Sequence, residues 1–557
     1  MANGKWPTRT TQHAACNTPR NTNPASRIPH PETMSQMLKS TGAMGIATLC
    51  SRVLGMVREM CYARFMGDTL VAGVFLFAFM IPNLFRRLLG EGALSAAFIP
   101  LFKEKEKTAG EKEMWESANA VISWLVIVAC AVVGVVLLAI SLTLNFMDLT
   151  SERRLMLELL RIMFPYMLLV CVAAVFIGML NARGHFFIPA MGATMLNVVM
   201  IVAVLFVAPR WGETLETQIF ALAFAVLVAG VAQAAFQLPT LRKEGFRFRW
   251  VSPWKHETVR VMVKRMIPGT IGVAAIQINL LLTNSIALAV DGSIVASFNY
   301  AVRLMELPQG VFGVSLATFL LPALAGLAAE KKMTEFSRSL GHAIDYLFFL
   351  NLFVGALLLV LAEPIVRLLF ERGEFGPEAT GRAALALMCL APGLVAFSAV
   401  NIFARAFFAL GDTRTPMRIS VGCLILNLML VLALIRPFQQ AGMALANSIT
   451  STLNAFLLFA ALKNKCPEVR VCGDQRGRIL VGICTLIGAA VAWKVWALCE
   501  AWLGNASLIE RIATVFVPLF SGGAVYLAAT LLLKVTAAKE LVGLATGRFR
   551  KGRPKGD

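Results

Sequence analysis

Charge is scarce in this chain: Asp, Glu, Lys and Arg make up 15% of its 557 residues, against 58% apolar residues. A soluble globular protein carries about a quarter charged residues and is near half apolar. Soluble domains are therefore excluded, because their cores could not hide so much Leu, Ala, Val and Phe. Histidine is rare too. His13, His30, His185, His256 and His342 are scattered, and no metal site can be read from them. Cysteines such as Cys50, Cys61, Cys130 and Cys171 stand singly in apolar runs. Cys466 and Cys472 lie closest together but lack CxxC spacing, so the cysteines read as small buried hydrophobes. Walker loops, GxSxG and HExxH motifs are all missing, so nothing points to an enzyme and no cofactor is expected. Acids are also few, 32 against 52 Lys and Arg, which leaves a net charge of +20.

Long apolar runs bounded by short polar loops fill the space that charge leaves. About 20 apolar residues cross a bilayer as a helix. Spans are predicted near 42–64, 72–99, 117–146, 157–181, 187–208, 216–240 and 262–290. More follow near 294–326, 339–362, 380–409, 415–435, 440–462, 479–502 and 512–534, about fourteen in all. A β-barrel would need short alternating strands instead. The fold class is an all-α integral membrane protein.

The cations sort by loop. Arg242, Lys243, Arg247, Arg249, Lys255, Arg260, Lys264 and Arg265 share one loop, and Arg548, Arg550, Lys551, Arg553 and Lys555 form a basic tail. The acidic loop 363–380 falls on the opposite side. The rule that cytoplasmic loops are positive then puts both termini inside. It also accounts for the net charge without a nucleic-acid partner.

The halves rhyme. Phe164-Pro165 followed by Arg183-Gly184 and Pro189 matches Ala391-Pro392 followed by Gly411 and Pro416 at one constant offset. Ala97-Phe98-Ile99-Pro100 resembles Phe319-Leu320-Leu321-Pro322. Two parallel six-helix lobes with two appended helices are expected, with a site between the lobes. The divisions predicted are a polar, disordered extension over 1–34 and lobes over 35–245 and 246–465. Helices 13 and 14 then occupy 466–540, ahead of a basic tail over 541–557. Met34 and Met37 stand as alternative starts to Met1.

Arg52, Arg58, Arg86, Arg87 and Arg303 lie in or beside spans, with the acids Glu59, Glu91 and Glu306 near them. An arginine facing lipid at a helix centre costs roughly 2.5–3.5 kcal/mol on the most lenient scale. The group is tolerable only around a wet interior. Arg52 and Glu59 are spaced to share a helix face; Arg87–Glu91 and Arg303–Glu306 have ion-pair spacing. Planar arginine forks suit phosphate oxygens, so the cluster reads as a site for an amphiphile bearing phosphate or pyrophosphate.

Two runs carry a family resemblance: Ser51-Arg52-Val53-Leu54-Gly55…Arg58, and Ile81-Pro82-Asn83-Leu84-Phe85-Arg86-Arg87…Gly90-Glu91-Gly92-Ala93-Leu94-Ser95. Arg303-Leu304-Met305-Glu306-Leu307-Pro308-Gln309-Gly310 and Gly411-Asp412-Thr413-Arg414-Thr415-Pro416 extend it. The chain resembles the MurJ (MviN) lipid II flippases of the multidrug/oligosaccharidyl-lipid/polysaccharide exporter superfamily. That resemblance implies a bacterial cytoplasmic-membrane protein with a V of two lobes around a cationic cavity. It also implies a groove at helices 13 and 14 for a polyprenyl tail. The implied substrate is lipid II, undecaprenyl-pyrophosphoryl disaccharide-pentapeptide, moved from the inner to the outer leaflet. Membrane lipids and other cell-wall synthesis proteins are the further partners it suggests. The five arginines would bind substrate, and Glu59, Glu91 and Glu306 would gate or pair. Gly73 and Val302 stand where members of the family often carry aspartate. An exporter of another polyprenyl-linked oligosaccharide or of a drug is the rival reading; a membrane enzyme acting on polyprenyl-linked sugars is the more distant one.

Overall fold

The computed structural model describes residues 31–88, 93–254, 256–466 and 475–545. The N-terminal extension before Pro31, Glu91 and the basic tail from 546 onward lie outside the described residues. Among the described residues all regular structure is helical. The helices are α1 (Pro31–Met66), α2 (Leu70–Phe85), α3 (Ala93–Thr108), α4 (Gly110–Phe146), α5 (Ser151–Met163), α6 (Tyr166–Ala182), α7 (Phe187–Val202), α8 (Ala208–Trp211) and α9 (Leu215–Lys243). They continue as α10 (Glu257–Val290), α11 (Gly292–Pro308), α12 (Ser315–Ala329), α13 (Met333–Val360), α14 (Ala362–Phe370), α15 (Pro377–Leu390) and α16 (Leu394–Ala409). The last are α17 (Arg414–Lys465), α18 (Gln475–Leu503), α19 (Leu508–Leu532) and α20 (Thr536–Ala545).

The expected spans fall on single helices or on consecutive helices joined at a proline or through a π-helical segment. Among the described residues, ten segments are long and apolar enough to cross a membrane. Their outward faces explain the composition. Val135, Leu138, Leu142 and Phe146 of α4 are all exposed, because hydrocarbon rather than water is their solvent. Pro165 separates α5 from α6, and Pro392 sits in the single 3-10 turn between α15 and α16. Both prolines interrupt a span because each lacks the N–H that a continuous helix needs.

The run 72–99 carries α2, which ends at Phe85 and passes into a π-helical turn, and the start of α3 at Ala93; residues 89–92 lie outside the described residues. The runs 415–435 and 440–462 are both inside α17, which folds back on itself at Gln439, where φ is 47°. Asn427 Nδ2 donates to Thr450 Oγ1 at 3.2 Å and Asn454 Nδ2 to Ser420 Oγ at 3.4 Å, pairing the two arms. A Cβ at Gly442 would lie 2.3 Å from the Leu434 carbonyl oxygen, so only glycine fits that turn.

Helices α1 to α9 pack mainly on one another, as do α11 to α17, while α10 touches both groups. Helices α18 and α19 pack together and against α13. The groups meet most closely where α2 crosses α11: a Cβ on Gly73 would lie 2.0 Å from the Gly292 carbonyl oxygen. Away from the apolar zone, Arg183 donates to Glu106 at 2.5 Å and to Glu244 at 2.8 Å, tying α3, α6 and α9 at one end of the bundle. Hydrogen bonds from His185 and Arg183 hold the Glu244 carboxyl below its usual range. That tie is complete at neutral pH and is lost only as pH falls through the lowered value.

Candidate functional site

Helix α1 turns a mixed face toward the centre of the molecule: Arg52, Met56, Arg58, Glu59 and Tyr62 line two adjoining cavities of about 340 and 500 Å³ between the helix groups. Arg58, Glu59, Asn83, Arg87, Arg303 and Glu306 belong to the walls of both. Arg52 and Arg86 line the larger one. All five arginines predicted from sequence therefore face one space, with Glu59 and Glu306 the acids against them in its wall among the described residues.

Arg58 is 9% exposed and Glu59 is 4% exposed. Arg58 Nη2 donates to Glu59 Oε1 at 2.5 Å and Arg58 Nη1 to Asn197 Oδ1 at 3.0 Å. Its guanidinium also sits 5.4 Å from the centre of the Tyr62 ring, a favourable cation–π distance. Arg303 reaches the same Glu59 oxygen at 3.3 Å and donates to Glu306 Oε2 at 2.8 Å. Arg303–Glu306 is thus the pair its spacing suggested. Arg52 and Glu59 do not pair; the acid turns instead to Arg58 and Arg303. Arg52 lies along the π-helical segment Gln309–Val314, where a Cβ on Gly310 would approach its Nη1 to 2.3 Å. Arg86 Nε donates to Asn83 Oδ1 at 2.7 Å.

The cavity is closed at the end where α1 finishes. Arg382 of α15 grips Asp68 with two bonds, Nε to Oδ2 at 2.7 Å and Nη2 to Oδ1 at 2.8 Å. Ser297 Oγ adds a third at 2.7 Å, and Tyr300 Oη donates to the Gly67 carbonyl at 3.0 Å. Asp68 is 4% exposed, so this contact crosses between the helix groups out of water. Sequence reading missed Asp68, Arg382 and Asn197. Asn197 could have been found, as a lone amide in an apolar span. Asp68 lies in the short polar turn between α1 and α2, and Arg382 in the first turns of α15 next to an acidic loop, where a charge raises no alarm.

A separate apolar cavity of about 340 Å³ lies among α13, α16, α17 and α18, lined by Phe348, Val395, Phe403, Phe456 and Phe459, with Arg478 at its edge. Arg478 Nε donates to Asp345 Oδ1 at 2.7 Å.

Comparison with known proteins gives this geometry its context. The sequence profile of the family described as "Lipid II flippase MurJ" matches residues 62–512. The probable lipid II flippase MurJ of Rhizobium meliloti (strain 1021) is 35% identical over 438 residues, covering 76% of this chain and 80% of that protein. The lipid II flippase MurJ of Burkholderia cenocepacia is 33% identical over 481 residues, covering 84% of this chain and 91% of that one. Among solved structures, a lipid II flippase MurJ in an inward closed conformation superposes with a TM-score of 0.74 at 22% identity, over 90% of this chain and 99% of that one. An inward-facing multidrug resistance MATE transporter of the MOP superfamily matches at a TM-score of 0.63 and 16% identity, over 76% of this chain and 98% of that one. Those two share the fold. The sequence match runs from the buried end of α1 through every helix that walls the cavity, and on that extent the chain belongs to the MurJ lipid II flippase family.

Proposed function

We propose that this protein carries lipid II from the inner to the outer leaflet of the bacterial cytoplasmic membrane by alternating access through the central cavity. One observation carries the reading: five arginines converge on a space whose wall, among the described residues, holds two glutamates. Such an excess suits the pyrophosphate, whose oxygens accept bidentate bonds from guanidinium forks. The apolar cavity beside α18 suits the polyprenyl chain. Both termini face the cytoplasm in this reading, because the ends of α3, α9 and α17 near the cavity mouth are rich in Lys and Arg. The closed end, with Asp68 and Arg382, then faces outward.

Depletion of the protein is expected to trap lipid II in the inner leaflet, and the wild-type gene restores its exposure to an externally added lipid II-cleaving enzyme. Arg303→Lys keeps the charge but loses the planar fork, and is expected to restore exposure at least about tenfold less well at equal expression. Normal exposure of lipid II after depletion would remove the reading. Full activity of the lysine variant would remove the bidentate argument alone.

Alternating access also requires the outward end to open. Asp68→Asn leaves Arg382 without its carboxylate and weakens a charge-assisted contact to a neutral one. Spin labels at Asp148 and Glu378, on the outer ends of the two helix groups, are expected to report a longer, broader distance distribution in that variant. An unchanged distribution would mean that the ion pair does not hold the end shut.

A further inference from the structure

The inner half of the cavity has a chemistry that the arginines do not explain. Gln277, Asn284, Asn299 and Asn447 stand in its wall, on α10, α11 and α17. All four are neutral amides. Gln277 and Asn284 are two helical turns apart, hence on one face of α10.

Three of them are oriented alike. Asn284 Nδ2 donates to the Leu280 carbonyl at 2.8 Å, Asn299 Nδ2 to the Val295 carbonyl at 2.9 Å, and Asn447 Nδ2 to the Met443 carbonyl at 3.2 Å. A carbonyl oxygen can only accept, so each side chain must commit its NH2 to its own helix and keep its Oδ1 for something else. For Asn447 that partner is Asn427 Nδ2 at 3.3 Å. For Asn284 there is none, although the residue is only 1% exposed. A buried acceptor without a donor is costly, and a ligand that supplies the donor removes that cost.

Position adds to polarity. The amides share one cavity with Arg58, Arg87 and Arg303 and stand beside Tyr62, Leu76 and Phe298 there, whereas Arg52 and Arg86 line only the adjoining one. An ionised phosphate offers only acceptors, so it fits the arginines and is repelled by an Oδ1. Sugar hydroxyls and acetamido N–H groups offer donors without charge, so they fit the amides. The covalent order tail, pyrophosphate, sugar places the carbohydrate one group beyond the arginines.

We infer that this wall is a carbohydrate subsite, in which Asn284 Oδ1 accepts a hydroxyl or acetamido N–H of the sugar adjoining the pyrophosphate. The inference rests on the lipid II reading above and names the part of the substrate that this wall recognises. Asn284 is then a specificity-determining residue. The arginines grip any polyprenyl pyrophosphate, and the amides select one that carries an amino sugar.

The test uses the purified full chain in lipid nanodiscs and two ligands, lipid II and undecaprenyl pyrophosphate without sugar. Wild type is expected to bind lipid II at least about tenfold more tightly than the sugar-free lipid. Asn284→Leu, of similar volume, is expected to lose about tenfold in lipid II affinity while its affinity for undecaprenyl pyrophosphate stays unchanged. Asn284→Ala serves as a second variant that cannot overfill the site, and unchanged binding of the sugar-free lipid shows that either variant is folded. Equal loss for both ligands, or a preference for lipid II that survives both variants, would overturn the subsite. A wild-type protein that binds neither ligand would overturn the function reading itself, and the subsite with it.

Discussion

Arg58→Leu is expected to deplete folded protein and abolish transport together. The substitution leaves Glu59 ionised at 4% exposure with only the longer 3.3 Å contact to Arg303. Breaking one partner of a buried ion pair costs about 3–5 kcal/mol, mostly because the other charge stays behind. The companion variant separates the two effects. Arg58→Leu with Glu59→Leu removes both charges, and an apolar pair of similar volume is often neutral or stabilising. The double variant is therefore expected to unfold near the wild-type temperature in detergent yet remain inactive, because the cavity has lost an arginine. Thermal melts of the three proteins, with lipid II exposure in depleted cells, read both quantities. A single variant as stable as wild type would mean that Arg303 alone compensates Glu59.

Gly73→Asp is expected to be more disruptive than its position in an apolar helix suggests. Members of the family that the chain resembles often carry aspartate there, so the substitution looks like a reversion. The local geometry forbids it. A Cβ at residue 73 would lie 2.0 Å from the Gly292 oxygen and 2.6 Å from its carbonyl carbon, and both are backbone atoms that no rotamer can move. Helices α2 and α11 would have to separate. That also pulls apart Ser297–Asp68 and Tyr300–Gly67, the bonds that close the outer end. Overpacking of a tight core costs typically 1–3 kcal/mol, and about 3 kcal/mol or more is expected where backbone meets backbone. Even Gly73→Ala should fail. Val302→Asp supplies the contrast. Val302 lines the cavity beside Arg303, so a carboxylate there has space and a cation. Membrane yield and complementation of depleted cells should therefore fall sharply for both Gly73 variants and hold for Val302→Asp. Wild-type complementation by Gly73→Asp would mean that the crossing is looser than its backbone contact implies.

Much of the architecture was legible from hydropathy because hydropathy is local. A run of about 20 apolar residues must be a helix in hydrocarbon, whatever surrounds it, since no water is present to satisfy its backbone. The same reasoning isolated the five arginines, because charge in such a run is intolerable unless it faces a shared wet space. Their meeting on one cavity wall follows from that constraint together with the order of the helices.

What the sequence could not state is who pairs with whom. Helical spacing joined Arg303 to Glu306 correctly, since both lie on one helix. It put Arg52 and Glu59 on one face, where both line the same cavity, but a shared face does not say that the acid turns to Arg58 and Arg303. The pairing of Arg58 with Asn197, of Asp68 with Arg382, and of the α2 and α11 backbones at Gly73 and Gly292 links residues distant in the chain. By itself the sequence determined that this protein spans a membrane many times and must shelter arginines among its helices. Only the tertiary structure decided which acids and amides face those arginines and which end of the cavity is shut. The physical reason is that burial is set by composition along one segment, whereas hydrogen bonds and close crossings depend on directions that several segments fix together.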